Sequence, residues 1–197
     1  MSMAHLERRD GNPQPNGKEI MAVDTIPSLK LNLGCNNRFR SGYINIDKDQ
    51  YPGVDKVCDV SKIDLPDGCA GEIYASHILE HFSHRKTLDV LREWYRLLEP
   101  AGILLISVPD FDRTVELYMV GGLNDWVNQF LWGDQGYDGA YHYCGFNEQR
   151  LTNFLEQAGF TDIIRVGGLP GSQPGDCSNL VSNWDKKFVS LNVIAKK

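Results

Sequence analysis

Residues 102–108 read Gly-Ile-Leu-Leu-Ile-Ser-Val, the most apolar short run in the chain. A run of this length with almost no polar break suits a strand covered on both faces, and such strands lie at the centre of parallel sheets flanked by helices. It falls far short of the roughly 18–20 apolar residues that cross a bilayer, and no other run comes closer. The rest of the chain agrees with this. Leu29-Lys30-Leu31-Asn32-Leu33-Gly34 alternates with period two and stops at glycine, which predicts a strand. Tyr43 to Asp47, Val57 to Val60, Glu72 to Ser76, Thr161 to Val166 and Phe188 to Ala195 bring the predicted strands to seven.

Helical patterns fall between them. After Ser83, Leu88, Leu91, Tyr95 and Leu98 recur at helical spacing, and Pro100 follows the end. Asn147 is placed to cap a helix whose Leu151, Phe154, Leu155 and Ala158 share a face, with Gly159 as its stop. Strands alternating with helices predict an α/β three-layer sandwich built on a mostly parallel sheet. Ligands of such sheets bind beyond the carboxyl ends of the strands, where strand order reverses.

With 197 residues the chain is sized for one domain. Residues 1–27 are polar and rich in Pro and Gly, so they are expected to form a flexible arm before a domain over 28–197. The start of the chain lacks the apolar core of a secretion signal. Five cysteines, an odd number with no Cys-x-x-Cys pair, suggest reduced thiols and a cytoplasmic setting. A net charge of −6 without a Lys/Arg block argues against a nucleic-acid partner.

Each strand is followed by residues able to do chemistry. Gly34-Cys35-Asn36 follows the first, although neither the Gly-x-Gly-x-x-Gly fingerprint nor a Walker loop is present. The second ends in Asp47, a carboxylate able to accept both hydroxyls of a ribose. The third ends in Asp59-Val60, an acceptor beside an apolar surface, which suits an adenine. The fourth runs into Ser76-His77-Ile78-Leu79-Glu80-His81.

These segments together resemble the class I (Rossmann-like) S-adenosylmethionine (SAM)-dependent methyltransferases of the small-molecule, type 11-like kind. LNLGCNNRF resembles their first motif, YINID the ribose strand, VCDVSKIDLPDG the adenine stretch and EIYASHILEHF the fourth strand and turn. LREWYRLLEPAGILLISVPD, a helix ending Leu-x-Pro-x-Gly before an apolar strand, is the most specific match, and GFNEQRLTNFLEQAGFTDI resembles their last helix and sixth strand. The resemblance implies a seven-stranded sheet whose last strand is antiparallel, with SAM as cofactor, S-adenosylhomocysteine as product and a small-molecule acceptor such as a sugar or metabolite hydroxyl. It places Asn32, Leu33, Gly34, Cys35 and Asn36 at the methionine part, Asp47 at the ribose, Asp59 and Val60 at the adenine, and Ser76 and His77 near the sulfonium. It assigns no metal ligand. Two departures stand out: Asn32 replaces the family's usual acid and Asn36 its second glycine, while the short gap from Gly34 to Asp47 leaves room only for a stub of helix.

An oxygen or nitrogen acceptor that must lose a proton calls for a base that works near neutrality, and histidine suits that task. Three histidines are candidates, His77, His81 and His142; His142 lies in a stretch over residues 111–146 rich in glycine and aromatics, which reads as a substrate lid with His142 as base. Two other readings compete. His77, Glu80 and His81 match the inverted zinc-protease spacing His-x-x-Glu-His, which needs one continuous helix and a distant third ligand. The asparagines also fit a Rossmann-like module that binds SAM without transferring methyl.

Overall fold

The structure, a computed structural model, describes residues 28–121 and 126–197. The arm expected over residues 1–27 lies outside the described residues. The strands are β1 (Leu29–Leu33), β2 (Ile44–Asp47), β3 (Lys56–Val57), β4 (Ala70–Ser76), β5 (Leu98–Pro109), β6 (Thr161–Val166) and β7 (Ser190–Lys196). They form one sheet in the order β3-β2-β1-β4-β5-β7-β6. All neighbours are parallel except β7, which runs antiparallel to both β5 and β6. Strand order reverses between β1 and β4, so the crevice that a doubly wound sheet offers a ligand opens above these two strands.

Side-chain alternation along β1 and β4 assigns their faces. Leu31, Leu33, Ile73 and Ala75 point into the main core, which is shared with α1 (Thr87–Leu97) and α4 (Glu148–Ala158). Asn32 and Tyr74, paired in register, point to the opposite face. There Tyr74 and Leu105 meet Leu169 from the connection between β6 and β7.

Both predicted helices form, with instructive differences. In α4, Asn147 caps as expected: its side chain accepts the Arg150 N–H at 3.0 Å, and Gly159 ends the helix in the left-handed conformation. In α1 the buried face is Val90, Leu91, Trp94 and Leu97. Leu88 and Tyr95 sit half-buried at its flanks, and Leu98 already belongs to β5. The expected stripe was turned partly off the true one because the large buried Trp94 recentres it.

Two expected elements differ: one is missing and one is shortened. No helix separates β1 from β2 among the described residues. The buried Asn45 side chain replaces it, accepting from the Arg40 N–H at 2.7 Å and donating to the Arg40 and Tyr43 carbonyls at 3.2 Å. The strand expected over 57–60 stops at Val57, because Asp59 accepts the Ser61 N–H at 2.8 Å and turns the chain. The 111–146 stretch contains two helices, α2 (Phe111–Met119) and α3 (Trp126–Trp132), joined by packing of Leu117 with Val127 and Phe130. No helix of the described residues is long and apolar enough to cross a membrane.

Candidate active site

A cavity of about 550 Å³ opens at the carboxyl ends of β1, β2 and β4. Every residue assigned to the methyltransferase reading lies on its wall: Asn32, Leu33, Gly34, Cys35, Asn36, Asp47, Asp59, Val60, Ser76, His77 and His142; Glu80 of the zinc reading does not. The site is built from the strand ends outward.

Gly34 and Asn36 both adopt positive φ, at 64° and 47°. A Cβ on Gly34 would come within 2.6 Å of the Ile78 side chain, so only glycine brings this turn so close to the loop after β4. Asn36 stands where the family places a second glycine. Asparagine is among the few L-residues that visit this backbone region readily, so the turn survives the replacement. The Asn36 N–H then donates to Asp47 Oδ2 at 2.8 Å, and the Asp49 N–H to Oδ1 at 3.0 Å. Both carboxylate oxygens are thereby aimed by backbone donors, and each keeps a lone pair for a ligand. Beside them the Cys35 thiol is pushed up to about 11 by burial and by the Asp47 charge, which keeps it protonated.

Asn32 has a structural duty. It is buried, and its amide donates to the Arg38 carbonyl at 3.0 Å and to Asn45 Oδ1 at 2.9 Å. An acid at this position would lack both donor hydrogens. Asp59 and Val60 are held from below by α1: Trp94 Nε1 donates to the Val60 carbonyl at 2.9 Å, and Arg96 donates to the Ile63 and Leu65 carbonyls.

Sequence reasoning missed the residues supplied by the β6–β7 connection. Asp176 accepts from Tyr74 Oη at 2.6 Å and from Ser76 Oγ at 2.7 Å, and it lines the cavity above the end of β4. Burial opposes its charge, but the hydrogen bonds from Tyr74, Ser178 and Ser76 outweigh burial and hold the carboxyl below its usual range. Arg40 stacks its guanidinium 3.7 Å above the Tyr74 ring and donates to the Gly171 carbonyl at 2.9 Å, fastening the same connection. No motif or spacing points to Asp176 or Arg40, whose partners lie roughly a hundred residues away in the sequence.

The opposite wall is a histidine cluster. His77 has a φ of 53° and sits just beyond β4, and residues Leu79–His81 make a single 3-10 turn. The continuous helix that an inverted zinc-protease motif requires is therefore not formed. His142 reaches the same place from the 111–146 stretch, its ring edge-on to His81 with centroids 4.9 Å apart. The Gly133 turn makes room for it: a Cβ there would fall 1.7 Å from the Ala140 carbonyl oxygen. Burial pushes the His142 imidazole below its ordinary value.

Comparison with known proteins agrees with this geometry. Residues 12–164 match the model of a family described as a methyltransferase domain. A SAM-dependent methyltransferase of Archaeoglobus fulgidus superposes with a TM-score of 0.58 at 16% identity, over 86% of this chain and 86% of that one. One from Methanosarcina mazei gives 0.56 at 17% identity, over 85% of this chain and 91% of its own. The 1,6-didemethyltoxoflavin-N1-methyltransferase of Burkholderia thailandensis, solved with its substrate and S-adenosylhomocysteine, gives 0.53 at 18%, over 87% and 71%. At these identities the structures speak for the fold, and the family match speaks for the chemistry. A search of curated proteins finds no match. The sheet order, the strand-end loops and a family match over most of the chain agree: this protein belongs to the class I SAM-dependent methyltransferases and is an enzyme of that family.

Proposed function

We propose that the protein transfers the methyl group of SAM to an oxygen or nitrogen of a small molecule held in the 550 Å³ cavity, with a sugar or other metabolite hydroxyl as the favoured acceptor. The observation that carries this reading is that one cavity joins a nucleoside-shaped end to a histidine-lined end. The residues fit the cofactor. Asp47 presents oriented carboxylate oxygens for a ribose, Val60 an apolar surface beside the Asp59 acceptor for an adenine, and the Gly34 turn a backbone free of side chain. Asn32 is occupied by the loop, so Asp176 is the carboxylate we assign to the ammonium group.

When bound, SAM supplies an activated methyl on a sulfonium, and the protein's work is alignment and exclusion of water. Ser76, the last residue of β4, and His77 just beyond it line the cavity and would hold the sulfonium end of the cofactor. His142 donates from Nδ1 to the Phe130 carbonyl at 3.0 Å, which leaves the Nε2 lone pair free to take a proton from the acceptor. His77 is fixed by a 2.9 Å hydrogen bond between Nε2 and Ser190 Oγ, which suits a positioning role. Free thiols at Cys35, Cys58, Cys69, Cys144 and Cys177 accord with a reducing, cytoplasmic setting.

Calorimetric titration of the full chain with S-adenosylhomocysteine tests the reading. Micromolar or tighter binding is expected. No binding would overturn the cofactor site and with it the transfer reaction.

A further inference from the structure

Glu80 is the most conspicuous charge in the molecule. It is 1% exposed, and neither carboxylate oxygen has a hydrogen-bond donor. His77 Nδ1 lies 3.1 Å from Oε1, an ion-pair contact that lacks hydrogen-bond geometry. A buried carboxylate left in this state is costly, and proteins compensate such groups with partners or metals. Here the surroundings are three imidazoles, those of His77, His81 and His142.

Two of those imidazoles are prepared in the way metal-binding histidines are. His81 Nδ1 lies 3.1 Å from the Tyr141 carbonyl, and His142 Nδ1 lies 3.0 Å from the Phe130 carbonyl. A carbonyl only accepts, so in each ring Nδ1 carries a proton, and in the neutral imidazole Nε2 then holds the lone pair a metal needs. Fixing the tautomer through an outer hydrogen bond to a carbonyl is the usual support of a ligating histidine. The backbone holds the group together: the Tyr143 N–H donates to the Glu80 carbonyl at 2.8 Å, and the His142 N–H to the Trp132 carbonyl at 3.0 Å. The donor atoms of Glu80, His81 and His142 all lie within 4.8 Å of one another.

We propose that Glu80, His81 and His142 form a binding site for a divalent first-row transition cation in the wall of the cavity. Two imidazole nitrogens and one carboxylate favour ions such as Zn²⁺, Mn²⁺ or Fe²⁺ over Mg²⁺ and Ca²⁺, which prefer all-oxygen shells. Three protein ligands leave coordination positions open, as in catalytic rather than structural sites. His81 and His142 both line the cavity, so the open positions face it and would take water or an oxygen of the acceptor. The ligand set is not the His77-Glu80-His81 triplet visible in the sequence: His77 stays outside as a buttress tied to Ser190, and the third ligand comes from the lid. The ion site stands on this cluster alone, while its use in holding the acceptor rests on the methyltransferase reading. A single Nε2 lone pair cannot both bind an ion and accept a proton, so a bound ion would make His142 a ligand and end its assignment as base.

The test starts from the full chain stripped with a chelator. Calorimetric titration with Zn²⁺ and titration with Mn²⁺ followed by electron paramagnetic resonance should each give one ion per chain. Glu80→Gln and His142→Ala should weaken binding more than ~100-fold, because loss of even an outer partner costs ~10–100-fold. The exposed His84→Ala control should bind like the parent. X-ray absorption of the Zn²⁺-loaded parent should show nitrogen and oxygen without sulfur, a readout that needs no variant to fold. Absence of binding, binding that survives both substitutions, or a sulfur-containing shell would each overturn the site. S-adenosylhomocysteine titration of the stripped parent separates the two readings: cofactor binding without metal binding sinks only the metal site, and metal binding without cofactor binding sinks only the transferase assignment.

Discussion

The cavity has two walls of different origin. The wall at Gly34, Asp47 and Asp59 is made by short turns, each within a few residues of a strand end. The wall at His81 and His142 is made where a long excursion, residues 111–146, packs against the turn after β4, while a second excursion, residues 167–187, brings Asp176 to the end of β4. The first wall is the one whose groups suit the cofactor. The second is free to vary with the acceptor, as loops carried on a rigid scaffold do. Its charged and polar groups are accordingly held by long-range contacts, such as Ser76 with Asp176 and His81 with Tyr141.

This division can be tested by substitution. The largest effect is expected from His142→Ala, which should slow turnover by about 10²-fold or more while leaving affinity for S-adenosylhomocysteine close to the parent's. Single-turnover kinetics beside calorimetry would check it, and a parallel loss of affinity would show that the walls are not separable. Asp47→Ala should weaken cofactor binding by about 2–3 kcal/mol through lost hydrogen bonds to a charged acceptor. Unchanged affinity would remove Asp47 from the site.

Asn32→Asp restores the family's usual acid, yet it should destabilise the protein by about 1–3 kcal/mol. The new carboxylate would face the Arg38 carbonyl and Asn45 Oδ1, both acceptors, without a hydrogen to give. A raised melting temperature would mean that the loop rearranges and that the acid was missing for another reason. The smallest effect is expected from Asp176→Asn, about 1 kcal/mol after solvent screening of a half-buried group. The folded Asp176 carboxyl is held below its ordinary value, so its contribution is present above about pH 4 and is lost as pH falls through the folded value. Denaturation curves of parent and variant should therefore differ at neutral pH and converge in acid. A gap that persists in acid would mean the carboxylate charge is not what fastens the connection to β4.

Much of the first wall was legible because its signals are local. Period-two alternation marked β1, a continuous apolar run marked the centre of β5, and an asparagine three residues before a backbone donor marked the start of α4. Errors arose where one side chain outweighed the general pattern around it. Trp94 shifted the buried face of α1, and Asn45 replaced a helical turn between β1 and β2 with a side-chain network. The asparagines at 32 and 36 looked like losses of function from the sequence. In the structure one ties down a loop and the other accepts a left-handed backbone.

Hydrophobic periodicity, caps and turn residues act over a few positions, so the sheet, α1, α4 and the strand-end loops are written locally along the chain. Nothing local tells that Asp176 stands in a cavity whose β1 acid is absent, or that His142 rather than His77 joins Glu80 and His81. Those choices depend on how two long connections pack onto a finished sheet. Packing brings together residues that no local pattern relates, so their chemistry appears only when the chain has closed upon itself.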